Sequence, residues 1–187
     1  MTTFFFIILL LLLLMISTFA VLSFVFAMDS IVRGHDLPTT KKAIETIDKI
    51  IREHEISSGN FYDLGCGRGT LSLAIKRKNP LLSVYGVDFS AVRIFFAKMK
   101  ALFMGRKINF LKKDILRLNL ADADIVFTYL WYDVMPPLEL KLRKELKKSA
   151  VVITNTSHFP NWKPVKIYDL YPEKKDFEKL FVYVKDL

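Results

Sequence analysis

Residues 4–27 form an unbroken apolar run with no charge, interrupted only by Ser17, Thr18 and Ser23. A bilayer core needs about 20 such residues, and this run has no polar face along which a buried helix would meet solvent. It predicts a transmembrane anchor at residues 1–28, because the run is longer than a signal peptide's apolar stretch and no basic residue precedes it; a signal peptide cleaved after Val25-Phe26-Ala27 is the alternative. Residues 29–38 read as a linker, with Gly34 and Pro38 as breakers. The pattern then changes to that of a folded domain, residues 39–187. Thr39 or Thr40 caps a helix whose Ala43, Ile44, Ile47, Ile50 and Ile51 share one face. Beyond Ser57-Ser58-Gly59 strands and helices alternate. Strands are expected at 61–64, 82–87, 108–111, 124–129 and 150–154, with helices at about 70–78, at about 90–104, and after Pro136-Pro137. In the 90–104 helix Ser90 is the cap, and Ile94, Phe95, Met99, Leu102 and Phe103 are assigned to the buried side. Leu138, Leu142 and Leu146 stripe the last helix. Strands 165–170 and 180–184 follow without a long helix between them.

Alternating elements imply a parallel sheet with right-handed crossovers. The directly connected final pair implies an antiparallel strand at the sheet edge. The fold class is therefore α/β: a Rossmann-like, seven-stranded, mostly parallel sheet with an antiparallel last strand and helices on both faces, plus one N-terminal transmembrane helix.

Charge adds a location. The chain has 28 Lys and Arg against 19 Asp and Glu, a formal charge of +9, all of it outside the apolar run. Nucleic acid, anionic lipid headgroups and plain solubility all account for such a balance; beside a membrane anchor, lipid is the preferred reading. No basic residue precedes the run, whereas Arg33, Lys41 and Lys42 follow it. By the positive-inside rule the domain lies on the cytoplasmic side of a single-pass protein. Cys66 is the only cysteine, which excludes an internal disulfide and a cysteine-based zinc site; no metal is expected.

The chemistry is concentrated in Asp63-Leu64-Gly65-Cys66-Gly67-Arg68-Gly69-Thr70, where a strand turns into a helix. Glycines let a ligand approach the main chain closely, and the helix start presents unpaired N–H donors. A dinucleotide loop has the spacing G-x-G-x-x-G; here the spacing is G-x-G-x-G, with an acid two residues before it. A pyrophosphate would be repelled by Asp63, whereas the ammonium and sulfonium of S-adenosylmethionine would be attracted. Asp88, at the end of the second strand, can accept from both ribose hydroxyls, with Phe89 beside it. Asp114 follows the third strand. The motif looks like the first motif of class I S-adenosylmethionine-dependent methyltransferases. That resemblance places Asp114 at the adenine amino group and Ile115 on the ring. The cofactor set is Asp63, Gly65, Cys66, Gly67, Gly69, Asp88, Phe89, Asp114 and Ile115. Asp88 as a helix cap and Asp114 as a turn residue are the structural alternatives.

Base methylation is disfavoured: the fourth strand is followed by Thr128-Tyr129-Leu130-Trp131-Tyr132 rather than an N/D-P-P-Y/F/W motif, and the lone Cys66 lies in the cofactor loop. Residues 136–164 contain Leu138-Glu139, Lys141-Leu142, Glu145-Leu146 and Phe159-Pro160-Asn161-Trp162. This segment resembles the protein-lysine methyltransferases that modify the ATP synthase c-ring protein and the adenine nucleotide translocase, and their broad-specificity archaeal relative. The resemblance implies a protein substrate with an accessible lysine, possibly in a membrane. It also implies the mitochondrial inner membrane in a eukaryote, and a gating stretch at His35-Asp36-Leu37-Pro38-Thr39. The chain departs from that family at Arg68 and at Asp88-Phe89, where an acid and an acid followed by Asn are usual. Tyr129, Trp131 and Tyr132 after the fourth strand, and His158, Phe159 and Trp162 after the fifth, are the acceptor-pocket candidates, because ligands bind at the carboxyl ends of such strands. Core or loop packing is the alternative for these residues, and an ordinary surface histidine for His158. His158 is the general-base candidate if the acceptor is a hydroxyl. A lipid or lipophilic acceptor, and a non-catalytic cofactor-binding membrane module, are the competing functions.

Overall fold

A computed structural model describes residues 2–33, 37–174 and 177–186. The chain divides into two compact units, Met1–Leu37 and Pro38–Leu187. The first contains α1 (Thr2–Arg33). Within it Thr3–Asp29 is long and apolar enough to cross a membrane. The Ser17 and Thr18 hydroxyls donate to the Leu14 carbonyl at 2.9 and 2.7 Å, so these polar groups are satisfied inside the helix, as an apolar solvent requires. The helix continues through residues 29–33, into the stretch read as linker, because no breaker occurs before Gly34. His35 and Asp36 of the expected gating stretch lie outside the described residues.

The second unit runs α2 (Lys41–Glu53), β1 (Gly59–Leu64), α3 (Thr70–Lys78), β2 (Leu82–Asp88), α4 (Ala91–Phe103), β3 (Asn109–Lys112), β4 (Ile125–Thr128), α5 (Met135–Glu145), β5 (Val151–Asn155), β6 (Lys166–Asp169) and β7 (Lys179–Val184). Thr40 caps α2 by accepting from the Ala43 amide, and Ser90 caps α4 by accepting from the Arg93 amide, each satisfying an otherwise orphan donor. The seven strands form one sheet in the order β3-β2-β1-β4-β5-β7-β6. Strands β1 to β5 are parallel, and β7 is antiparallel to both β5 and β6.

Two sequence expectations change here. The antiparallel strand is not the edge. β7 buries Leu180, Val182 and Tyr183, whereas most of β6 is exposed. The more apolar strand takes the interior position and the polar one the rim. The buried side of α4 also differs: Ile94, Ala97 and Ala101 face inward, while Phe95, Leu102 and Phe103 are exposed. The small alanines let α4 lie close to the sheet, where Phe110 of β3 fills the remaining space.

Strand alternation sends Phe61, Val84, Ile125, Phe127, Val151 and Ile153 to the face covered by α2 and α3. Leu64, Val87, Val126 and Val152 point to the opposite face, against Leu138 and Leu142 of α5. The carboxyl ends of β1, β2, β4 and β5 form one rim, where the loops carrying the candidate residues gather.

Candidate functional site

The glycine loop joins β1 to α3 with Gly65, Gly67 and Gly69 all in left-handed conformation, at φ 80°, 52° and 74°. A side chain is strained at such angles. The Gly65 and Cys66 amides donate to the Val87 carbonyl at 2.8 and 3.0 Å, and the Gly69 amide donates to the Cys66 carbonyl at 2.9 Å. The loop is thereby fastened to the end of β2. Asp88 completes the fastening: its Oδ2 accepts from the Gly67 amide at 3.0 Å and its Oδ1 from the Ser90 amide at 2.8 Å. Each carboxylate oxygen has two lone pairs, so a carboxylate can hold backbone amides and still be the kind of group that accepts from hydroxyls. Asp88 is thus both a local brace and a candidate ligand. Asp63 is buried, and its Oδ2 accepts from Ser72 Oγ on α3 at 2.6 Å. Sequence reasoning does not single out Ser72; a serine inside a helix carries no signal until the fold puts it beside an acid. Gly69 precedes α3 and, having no side chain, supplies no cap to the helix's first N–H groups.

The Lys113 amide donates to the Asp88 carbonyl at 3.1 Å, which brings the start of the β3 loop to the same rim. Asp114 is exposed there. Its Oδ1 accepts from the Leu116 amide at 2.9 Å and its Oδ2 lies 3.6 Å from Arg117 Nε. Ile115 is half-buried against the α5-side core, and Phe89 is exposed. The arrangement is of the kind that suits S-adenosylmethionine: a glycine loop fastened to one buried carboxylate, Asp88, with a second buried acid, Asp63, alongside.

The acceptor candidates separate into two groups. Tyr129 is half-buried and packs on the α2-side core. Trp131 and Tyr132 are exposed, and Tyr132 donates its hydroxyl to the Thr156 carbonyl at 3.1 Å while its ring meets His158 edge-on, centroids 6.0 Å apart. These four remain at the rim. Phe159 and Trp162 do not line it, which corrects the expectation that they shape an acceptor pocket. Both are buried, stacked on each other and packed against Tyr183, whose Oη accepts from the Phe159 amide at 3.1 Å. Burial pushes the Tyr183 hydroxyl pKa up. Buried Glu139 explains the helix-and-turn segment. Its Oε2 accepts from the Asn161 amide at 2.9 Å, tying α5 to the Phe159-Pro160-Asn161-Trp162 turn. Glu145 likewise accepts from Lys141 Nζ and from the Leu120 amide. The segment is scaffold.

A polar cluster that sequence reasoning missed lies at the end of β5. Glu178 is buried just before β7, with Oε1 accepting from Asn155 Nδ2 at 2.8 Å and Oε2 from Thr40 Oγ1 at 3.0 Å. Thr156 adopts φ 64°, rare for a β-branched residue, and its Oγ1 donates to Asn155 Oδ1 at 3.1 Å. That bond turns the Asn155 amide toward Glu178. Among the described residues no ion pair is formed by Glu178. Nothing local distinguishes it within the charged stretch 173–179; only the β5–β7 register brings it to Asn155.

Comparisons with known proteins agree with this geometry. In structure, an RNA methyltransferase from Salinibacter ruber, solved with S-adenosyl-L-homocysteine, superposes with a TM-score of 0.71 at 19% identity, over 80% of this chain and 94% of that one; the likeness establishes the fold. In sequence, a carboxy-S-adenosyl-L-methionine synthase from Campylobacter hominis is 23% identical over 77% of this chain and 66% of its own length. A protein-lysine N-methyltransferase from Saccharolobus islandicus is 24% identical over 70% of this chain and 81% of its own. The human lysine N-methyltransferase of the ATP synthase C-subunit is 26% identical over 68% of this chain and 54% of its own. The chain thus spans just under two thirds of the Campylobacter relative and about half of the human one. The family described as "ANTKMT methyltransferase domain" matches residues 63–166, from the acid before the glycine loop to the first residue of β6. By that match, over more than half of its length, the chain belongs to the ANTKMT methyltransferase domain family.

Proposed function

We propose that this protein is an S-adenosylmethionine-dependent protein-lysine N-methyltransferase. It is held by α1 in a membrane, with its domain on the cytoplasmic side, and acts on a protein at that membrane. The observation that carries the acceptor class is the buried Glu178 carboxylate, held by Asn155 and Thr40 at the carboxyl rim beside the β4 end that bears Tyr129. A carboxylate paired only with neutral donors is a site for an ammonium, and bonds to a charged partner are the stronger class. An aromatic face nearby also favours a cation.

Within this reading S-adenosylmethionine, when bound, supplies an electrophilic methyl group on a sulfonium. Asp88 would hold its ribose hydroxyls and Asp63 its cationic end, while the loop glycines let it approach the backbone. Asp114 and Ile115 would border the adenine. Glu178 docks the incoming lysine, and Tyr129 walls the channel. The amine gives its proton to water before the nitrogen attacks, so His158 is not required. Alignment of nucleophile and methyl group then supplies much of the rate.

The carboxy-S-adenosyl-L-methionine synthase relatives favour a second reading, in which the cofactor itself is the molecule modified. A lipid or lipophilic acceptor is the third. One experiment separates all three. The full chain is incubated with methyl-labelled S-adenosylmethionine and membranes from cells lacking the gene, and products are resolved into protein, lipid and small molecules. Label in protein lysines, lost in Glu178→Gln and Tyr129→Ala while cofactor affinity is retained, is the expected result. Label confined to lipid, abolished by His158→Ala, refutes the lysine acceptor. Conversion of the cofactor without transfer establishes the second reading.

A further inference from the structure

The exposed apolar side of α4 has no role in the site described above, and its chemistry is unusual for a helix facing water. Ile94, Ala97 and Ala101 face the sheet. At 100° per residue the direction opposite these three is occupied by Phe95, Met99, Leu102 and Phe103. Phe95, Leu102 and Phe103 are 54%, 72% and 81% exposed. Met104, just past the helix end, is exposed as well. An outward face of a soluble helix normally carries charge. Here charge is kept off that face: Lys98 and Lys100 are exposed on either flank, Lys100 Nζ lying 3.5 Å from the Arg68 carbonyl, Arg93 is buried, and Arg106 and Lys107 follow the C-terminus. From residue 91 to residue 113 the chain contains no acidic residue. Contiguous exposed apolar surface rimmed by one sign of charge marks an interaction site.

We propose that the outer face of α4 is a membrane-docking surface that seats the domain on an anionic bilayer, its aromatic and leucine side chains in the headgroup–acyl boundary and its lysines on lipid phosphates. Charge complementarity selects this occupant. Lysines bordering an aromatic and leucine stripe are the composition of a helix lying in an interface plane, and each basic residue near an anionic leaflet is attracted to it. The same chain carries a helix of membrane-spanning length and composition in Thr3–Asp29, and a bilayer holding that helix would lie within reach of the domain. Packing reasons point the same way: the sheet is already served by the alanine side of α4, and Phe95, Leu102 and Phe103 remain more than half exposed. A domain docked on α4 would lie with this helix along the membrane plane. Because α4 begins at the carboxyl end of β2, the rim bearing the glycine loop would open along the membrane surface rather than away from it.

The test uses the full chain with Cys66 replaced by Ser and one nitroxide label at a time, at Phe103, at Phe95, or at Leu140. Leu140 is 70% exposed on α5, which packs on the opposite face of the sheet, and serves as the control. The protein is reconstituted in vesicles of phosphatidylcholine with phosphatidylserine, and collision rates with oxygen and with a water-soluble nickel chelate are measured. Docking raises the oxygen-to-nickel ratio at Phe103 and Phe95 well above that at Leu140. Lys98→Glu with Lys100→Glu, or vesicles of phosphatidylcholine alone, lower it toward the Leu140 value. Equal ratios at all three sites overturn the proposal, as does failure of the chain to float with vesicles. Labels at Phe103 and Phe95 shielded from both reagents, in detergent as in vesicles, also overturn it, because a protein surface then covers the face. Phe95→Gln and Leu102→Gln, at exposed positions, leave the melting temperature within about 2 °C, so loss of docking in those variants is not loss of fold. The outcome does not depend on which acceptor is methylated.

Discussion

Asp88 has an observed bracing role and a proposed ligand role, and a single substitution tests them separately. Asp88→Asn preserves shape but replaces one carboxylate oxygen with an NH2 group, so one of the two backbone donors, Gly67 or Ser90, faces another donor. A hydrogen bond to a charged group contributes about 1.5–3 kcal/mol. The asparagine variant therefore loses about that much stability, and its melting temperature falls by roughly 3–12 °C for a chain of this size. The second loss concerns the ligand. With the charge gone and one oxygen converted to a donor, at least one ribose hydroxyl loses its acceptor. An equal free-energy loss weakens S-adenosylmethionine binding by about 10- to 150-fold. Calorimetric titration well below the variant's own melting point separates the two effects, with far-ultraviolet circular dichroism confirming the fold. Asp114→Asn is the comparison: among the described residues its exposed carboxylate makes an Asx-type turn and a long contact to Arg117, so its stability changes by less than about 0.5 kcal/mol. A folded Asp88→Asn protein that binds S-adenosylmethionine within about threefold of the unchanged protein, under about 0.7 kcal/mol, would refute the assignment of Asp88 to the ribose.

Gly86 of β2 lies against Phe110. A Cβ there would stand 2.5 Å from two ring carbons and 3.0 Å from Ser72 Oγ, so Gly86→Ala is expected to cost about 1–3 kcal/mol by overpacking in denaturant melts. Gly86→Ala with Phe110→Leu should recover part of it. Glu53 at the end of α2 accepts from Tyr168 and Lys166 on β6. The Tyr168 hydrogen bond first, and the Lys166 contact second, lower its pKa from 4.5 to about 2. Because the folded pKa is depressed, the contact stabilises the fold fully above pH 4.5 and is lost as pH falls toward 2. The melting-temperature gap between the unchanged protein and Glu53→Gln should be open at about pH 7 and narrow progressively below pH 4.5; a gap independent of pH contradicts the pairing.

Local periodicity determined much of this molecule. Thr40 and Ser90 cap their helices, α3 begins at Thr70, and the alternation of strand and helix announces the parallel sheet, because each of these depends on neighbours within one or two turns. The position of the glycine loop was legible for the same reason: its acid, its three glycines and Asp88 are consecutive or one β-α-β unit apart. What the sequence left open are facts of long-range pairing. The interior place of β7 follows from competition between two short strands for the same edge, decided by how much apolar side chain each buries. Which side of α4 faces the sheet was undecidable by hydrophobicity, because both sides are apolar; the alanines win by allowing closer approach. Phe159 and Trp162 sit after a strand, as ligand-binding residues do, yet fold back under Tyr183 and Glu139. Glu178 meets Asn155 and Thr40 across separations of 23 and 138 residues. No window along the chain contains that contact. It exists because β7 inserts beside β5, and burial then leaves a carboxylate with two neutral donors at the rim.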